Sequence, residues 1–133
     1  MAVAFRYPRR VQFHETDLAG IAHFSWYFRY MEEAEHALWR HLGMSIATPG
    51  AVVVFPRVAA TCDFKAPLRF EEEFEVVIQV EAIGRRSIRY ACTLEKGAQI
   101  VAVGSMTSAS VTRAADGRVT AVDLPEAIVT RLR

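Results

Sequence analysis

The sequence predicts an α+β domain in which an antiparallel sheet wraps one long central helix. Three observations carry that prediction. Only one stretch, from about residue 24 to 42, repeats its apolar residues at spacings of three and four. The segments on either side alternate apolar and polar residues, which is the period of a strand. No linker, repeat or low-complexity run divides the 133 residues, so residues 1–133 are read as a single domain.

Each element has a local reason. Residues 5–14 read as a strand, with Val11 and Phe13 on one face and Arg10 and Gln12 on the other. A short polar turn holds Asp17, and the flexible pair Ala19-Gly20 follows it. The helix then begins near Phe24, with Ser25 as the expected N-cap and Gly43 placed to end it. Its apolar stripe is Phe24, Tyr27, Phe28, Met31, Ala34, Leu38 and Leu42, and Glu32, Glu33, His36 and Arg40 fall mainly on the other side. Residues 52–64 are β-rich and interrupted at Pro56. Pro67 and Glu71-Glu72-Glu73 mark a turn. Phe74, Val76, Ile78 and Val80 share one face of the next strand, Gly84-Arg85-Arg86-Ser87 makes a hairpin, and Ile88, Tyr90, Cys92 and Leu94 continue the alternation. Lys96-Gly97 turns the chain into a last long strand, residues 100–112. Asp116-Gly117 is a further turn, and Pro125 opens a short helix ending near Leu132. One helix can cover one face of such a sheet, so an exposed face or edge is expected to meet another chain. This is the pattern of a hot-dog fold.

Composition narrows the function classes. Sixteen basic against fifteen acidic residues give a net charge of +1, too small an excess for general phosphate neutralisation, so no nucleic-acid partner is expected. The local pairs Arg9-Arg10 and Arg85-Arg86 remain candidates for a smaller anion. A hydrophobic content of 52% fits a folded domain and, in so short a chain, hints at apolar surface buried against another subunit. Cys62 and Cys92 lack CxxC spacing and fall on alternating strands, so they are read as reduced core residues in a reducing compartment. The longest apolar run, Ala51 to Phe55, is too short to span a bilayer, and the N-terminus has no apolar h-region. A soluble, cytoplasmic protein without membrane insertion is expected.

The chemistry concentrates in residues 12–32. Asp17 lies just before a helix whose first N–H groups have no intrahelical acceptor, which sets a carboxylate beside ready donors. Asp17 at its ordinary ionisation can attack a carbonyl or orient water; as an alternative it caps the turn. The N–H near Phe24 can hold an oxygen on which negative charge develops. His23 and His14 are candidates for proton transfer to a leaving group, with a satisfied surface or interface histidine the favoured reading for both. They form no metal motif with Glu15, because the spacing does not match a histidine pair on one helix face, and no metal is expected. Glu15 is read as a solvated loop residue, with orienting the loop or pairing to Arg10 as the other readings. Thr61 is a candidate to reach the helix from its strand and position Asp17 or water.

The run Thr16-Asp17-Leu18-Ala19-Gly20-Ile21, followed by Tyr27-Phe28-Arg29-Tyr30-Met31-Glu32, resembles the 4-hydroxybenzoyl-CoA thioesterase family of hot-dog proteins. The order of strands and helix fits that family along essentially the whole chain, and Asp123-Leu124-Pro125-Glu126 is similar to its ending. The resemblance implies homodimers or homotetramers with active sites at the dimer interface. It implies an acyl-CoA substrate and no cofactor, coenzyme A being part of the substrate. It makes Asp17 the catalytic carboxylate, Gly20 the glycine of the loop before the helix, Phe24 the oxyanion N–H and Tyr27 the aromatic residue of the helix's first turns. It makes Arg85 and Arg86 the basic residues that meet the nucleotide end of CoA. Trp26 is a candidate lining residue of the acyl pocket. The chain departs at two positions, with Phe24 and Trp26 standing where many relatives carry a histidine and a small polar residue. An acyl-carrier-protein thioesterase and a non-catalytic acyl-binding subunit stay open beside the acyl-CoA thioesterase. A hydratase is disfavoured because the chain lacks an Asp-x-Asn-Pro-x-His run.

Overall fold

The structure, a computed structural model, describes residues 4–133. The first strand, β1 (Ala4–Arg10), is shorter than expected. Val11 is buried, but Phe13 is exposed and packs edge-on against Phe70 at 5.7 Å. The strand stops because residues Phe13–Glu15 wind into a 3-10 turn. Glu15 N–H donates to the Gln12 carbonyl at 3.0 Å, and the Glu15 carboxylate accepts the Gln12 N–H at 2.8 Å. That pair of local bonds replaces the ladder that a longer strand would need.

The long helix, α1 (Phe24–His41), spans 18 residues and ends at Leu42, with Gly43 at φ +80° in the left-handed region that glycine adopts readily. Its cap is His23 rather than Ser25: the His23 ring accepts the Ser25 N–H at 3.3 Å, and its Nδ1 lies 2.8 Å from Ser25 Oγ. The buried face is wider than the expected stripe, since Tyr30, Glu35, Ala37 and Trp39 join Tyr27, Met31, Ala34 and Leu38. The added polar groups have partners. Trp39 Nε1 donates to Tyr90 Oη at 2.9 Å, and Arg57 clasps Glu35 with two bonds of 2.7 and 3.0 Å.

After α1 come β2 (Val53–Val54), β3 (Arg57–Phe64), β4 (Glu73–Ile83), β5 (Ser87–Lys96) and β6 (Gln99–Ala109). One five-stranded antiparallel sheet has the order β1-β4-β5-β6-β3. Its centre is the meander of the last three, and the two earlier strands form its edges. Phe74, Val76, Ile78 and Val80 of β4 and Ile88, Tyr90, Cys92 and Leu94 of β5 all face the core, which α1 covers. This is the hot-dog arrangement.

The expected last strand breaks in two. Ser110 turns its N–H to the Arg86 carbonyl and its carbonyl to the Val122 N–H, both at 2.9 Å, so the chain leaves the main sheet. The continuation, β7 (Val111–Arg113), joins β2 and an unexpected β8 (Val119–Ala121) in a small second sheet. The final helix, α2 (Glu126–Leu132), begins directly after Pro125 and buries Leu132. Both cysteines are free thiols, Cys92 buried and Cys62 half-buried. No described helix is long and apolar enough to cross a membrane.

Candidate active site

The Asp17 loop is a small closed structure. Thr16 and Ala22 bridge across its base, the Asp17 N–H donates to the Ile21 carbonyl at 3.0 Å, and the Gly20 N–H returns to the Asp17 carbonyl at 2.9 Å. Gly20 sits at φ +79°, which an L side chain adopts only at a cost. The loop is fastened outward as well, since the Ala22 N–H donates to the Leu68 carbonyl at 2.7 Å. Asp17 is exposed at the turn. Its Oδ1 accepts the Ala19 N–H at 2.8 Å, so the turn-capping role is real, but the described residues offer Oδ2 no hydrogen bond. The N–H of Phe24, first in α1, likewise meets no acceptor among the described residues.

Asp17, Phe24 and Tyr27 meet in one open cavity of about 540 Å³. Ile21, Ala22, Phe64, Ala66 and Pro67 supply an otherwise apolar wall, and Lys65 is its one cation. Tyr27 and Phe64 pack edge to face at 4.9 Å, fixing the aromatic side. A depression of about 570 Å³ elsewhere is walled by Pro8, Arg10, Glu73, Glu75 and Glu95 and is dominated by ion-paired side chains, Arg10 with Glu73 among them.

The remaining expected residues lie outside this cavity. His23 caps the helix through Nδ1, while its Nε2 makes no hydrogen bond among the described residues. Trp26 packs against His14 at 5.3 Å and beneath the Arg29 guanidinium at 5.5 Å. Thr61 does not reach the helix. It pairs with Ser105 across the sheet, their hydroxyl oxygens 2.7 Å apart. The neighbouring Gly104 faces Met31, so strand alternation turns Ser105 and Thr61 to the outer side. Arg85 and Arg86 both hold Asp123 Oδ1 at 3.0 Å. They sit at the far end of the sheet: Phe64 pairs with Ala102, whereas Arg57 pairs with Ser108 and through it with Ile88, next to their hairpin. Seven residues of strand separate these ends, roughly 23 Å at ~3.3 Å per residue.

Glu15 is the largest departure from the sequence reading. It is fully buried and paired with Arg9, not Arg10. Burial alone would raise its pKa, but the Arg9 guanidinium, the Gln12 N–H and the Tyr30 hydroxyl outweigh that and hold it below the ordinary carboxylate value. Lys65 and Phe64 were also missed. Their signal is the Lys65-Ala66-Pro67 run that ends a β-rich segment, in which Pro67 marks a turn.

The fold and this corner can be set beside known proteins. The thioesterase superfamily model matches residues 19–103, well over half of the chain. The chain belongs to the thioesterase superfamily. A candidate esterase of Aquifex aeolicus is 40% identical over 90 residues, covering 65% of this chain and 69% of its own. A 1,4-dihydroxy-2-naphthoyl-CoA hydrolase of Synechococcus elongatus is 29% identical over 101 residues, 74% of each chain. Among solved structures, a gentisyl-coenzyme A thioesterase superposes with a TM-score of 0.85 at 26% identity, covering 97% of this chain and all of its own. The thioesterase superfamily carries the thioester-hydrolase reading generally. The narrower 4-hydroxybenzoyl-CoA resemblance is not singled out, because the two relatives with a named substrate are a 1,4-dihydroxy-2-naphthoyl-CoA hydrolase and a gentisyl-coenzyme A thioesterase.

Proposed function

We propose that this protein hydrolyses an acyl-CoA thioester to a free acid and CoA. The observation that carries the reading is the shared cavity of Asp17 and the helix N-terminus at Phe24. The thioester carbonyl points its oxygen at the Phe24 N–H, where partial positive charge stabilises the developing oxyanion. Asp17 Oδ1 is held by Ala19, and Oδ2 faces the carbonyl carbon. Oδ2 either attacks directly, forming an acyl-aspartyl anhydride and expelling CoA thiolate, or takes a proton from water that attacks in its place. In the first route water then cleaves the anhydride and restores the carboxylate. No metal or redox cofactor is required by either route. Lys65 on the cavity wall suits a phosphate of the CoA arm.

The active unit is proposed to be a homodimer, itself able to pair into a homotetramer. Of the two sheet edges, β1 carries Pro8 and three arginines, which blunt it, whereas β3 exposes Val58, Ala59 and Ala60. Antiparallel pairing of two β3 edges makes one continuous sheet. It also brings the partner's hairpin end toward this chain's Phe64 end, which is how Arg85 and Arg86 come within reach of a bound CoA.

The test is thiol release from short, medium, long and aromatic acyl-CoAs, with the aryl-CoA esters first because of the relatives' substrates. Asp17→Asn keeps the side chain's shape and removes its charge. The expected result is hydrolysis of at least one ester by the wild type and a loss of roughly 10²-fold or more in the variant. Undiminished turnover in Asp17→Asn overturns the mechanism.

A further inference from the structure

Resting on that reading of Asp17, we infer that Glu15 is a positioning residue that sets the separation between the Asp17 carboxylate and the Phe24 N–H. The carboxylate of Glu15 has no exposure to solvent. It receives two bonds from Arg9 on β1, one of them 3.2 Å, one from the Gln12 N–H at 2.8 Å and one from Tyr30 Oη on α1 at 2.8 Å. Three of those bonds fall on Oε1 and one on Oε2, and the group is fully buried and does not line the Asp17 cavity, so Glu15 is held by the protein rather than presented to substrate.

Its backbone does the rest. The Glu15 carbonyl accepts the N–H of His23 at 2.8 Å. Asp17 follows two residues after Glu15, and Phe24 directly follows His23, so this one bond closes the neck of the loop from which both reacting groups hang. Arg9 extends the anchor, since it also holds Glu33 of α1 at 2.8 Å. The side-chain network thus locks the strand end, the loop neck and the helix into one rigid unit. Stability alone is a poor reason for such a network, because well-packed apolar residues replace buried ion pairs with little or no loss. Geometry is the better one, because a small displacement between reacting groups costs far more in rate than in binding.

The experiment compares Glu15→Gln, Tyr30→Phe, Asp17→Asn and the double variant Asp17→Asn/Glu15→Gln on the acyl-CoA that wild type hydrolyses best. Far-UV circular dichroism checks each fold. Glu15→Gln is expected to lower kcat by roughly 10- to 100-fold with KM within about twofold. Tyr30→Phe removes one of the four bonds and lowers kcat less, by roughly three- to tenfold, again at constant KM. The double variant is expected to be no slower than Asp17→Asn alone, because Glu15 acts only through the group already removed. Wild-type kcat in both Glu15→Gln and Tyr30→Phe, a rise confined to KM, or losses that multiply in the double variant overturn the inference while leaving Asp17 in place. Full activity in Asp17→Asn overturns the underlying mechanism instead. Should Glu15→Gln fail to fold, Tyr30→Phe decides by the same split of kcat from KM.

Discussion

At the scale of single residues, His23 shows how one side chain serves two readings. In sequence it stands where a proton donor to the leaving thiolate belongs, and in three dimensions its ring is the acceptor that caps α1. Serine keeps a cap but cannot shuttle a proton. His23→Ser is therefore expected to retain kcat within about twofold, whereas His23→Ala loses about 0.5–2 kcal/mol of stability. Thermal or urea unfolding beside thiol release checks both, and a large kcat loss in a stable His23→Ser assigns proton transfer. The grouping of Asp17, Phe24 and Tyr27 at one cavity was legible because they lie in one contiguous run whose turn and helix signals are local. Glu15 was not, because burying a charge depends on who neutralises it. Its partners Arg9 and Tyr30 come from a strand and a helix, and no window of sequence around Glu15 contains that meeting. Phe64 and Lys65 were hidden for the same reason, since only folding brings the end of β3 to the start of α1.

At the scale of elements, alternation was a sufficient guide along β4 and β5, whose named apolar residues kept their expected face. It failed where backbone groups found other partners, at the 3-10 turn that shortens β1 and at Ser110, which ends β6. The contact of α1 with the sheet depends on a residue that alternation cannot rank. A Cβ on Gly104 falls 2.8 Å from Met31 Sδ and 2.5 Å from the Thr61 carbonyl oxygen. Methionine can give way, but the β3 backbone cannot. Gly104→Ala is expected to cost roughly 1–3 kcal/mol by overpacking, read as a lower urea midpoint with an unchanged m-value. An unchanged midpoint would mean that the helix and edge strand stand farther from β6 than described.

At the scale of the whole molecule, the proposed dimer joins the unprotected β3 edge to the cavity at its end, so assembly and turnover are expected to fail together. Val58 is 60% exposed on that edge. Val58→Lys places a charge where a second strand would dock, and charged edges resist pairing. Sedimentation velocity is expected to show a dimer for the wild type and a concentration-dependent shift to monomer for the variant, with thiol release falling in step. A variant that stays dimeric moves the interface elsewhere. The strand order carries one more consequence, for synthesis. The sheet's two outer strands and its helix all leave the ribosome before residues 73–109, the strands that lie between them. Until those strands arrive, Tyr27, Tyr30, Met31 and Leu38 form an apolar stripe with no surface to lie against. Chains emerge at ~5–20 residues per second, so the stripe stays uncovered for seconds. The apolar face of the helix is thus most exposed during translation, before the strands that cover it have been made.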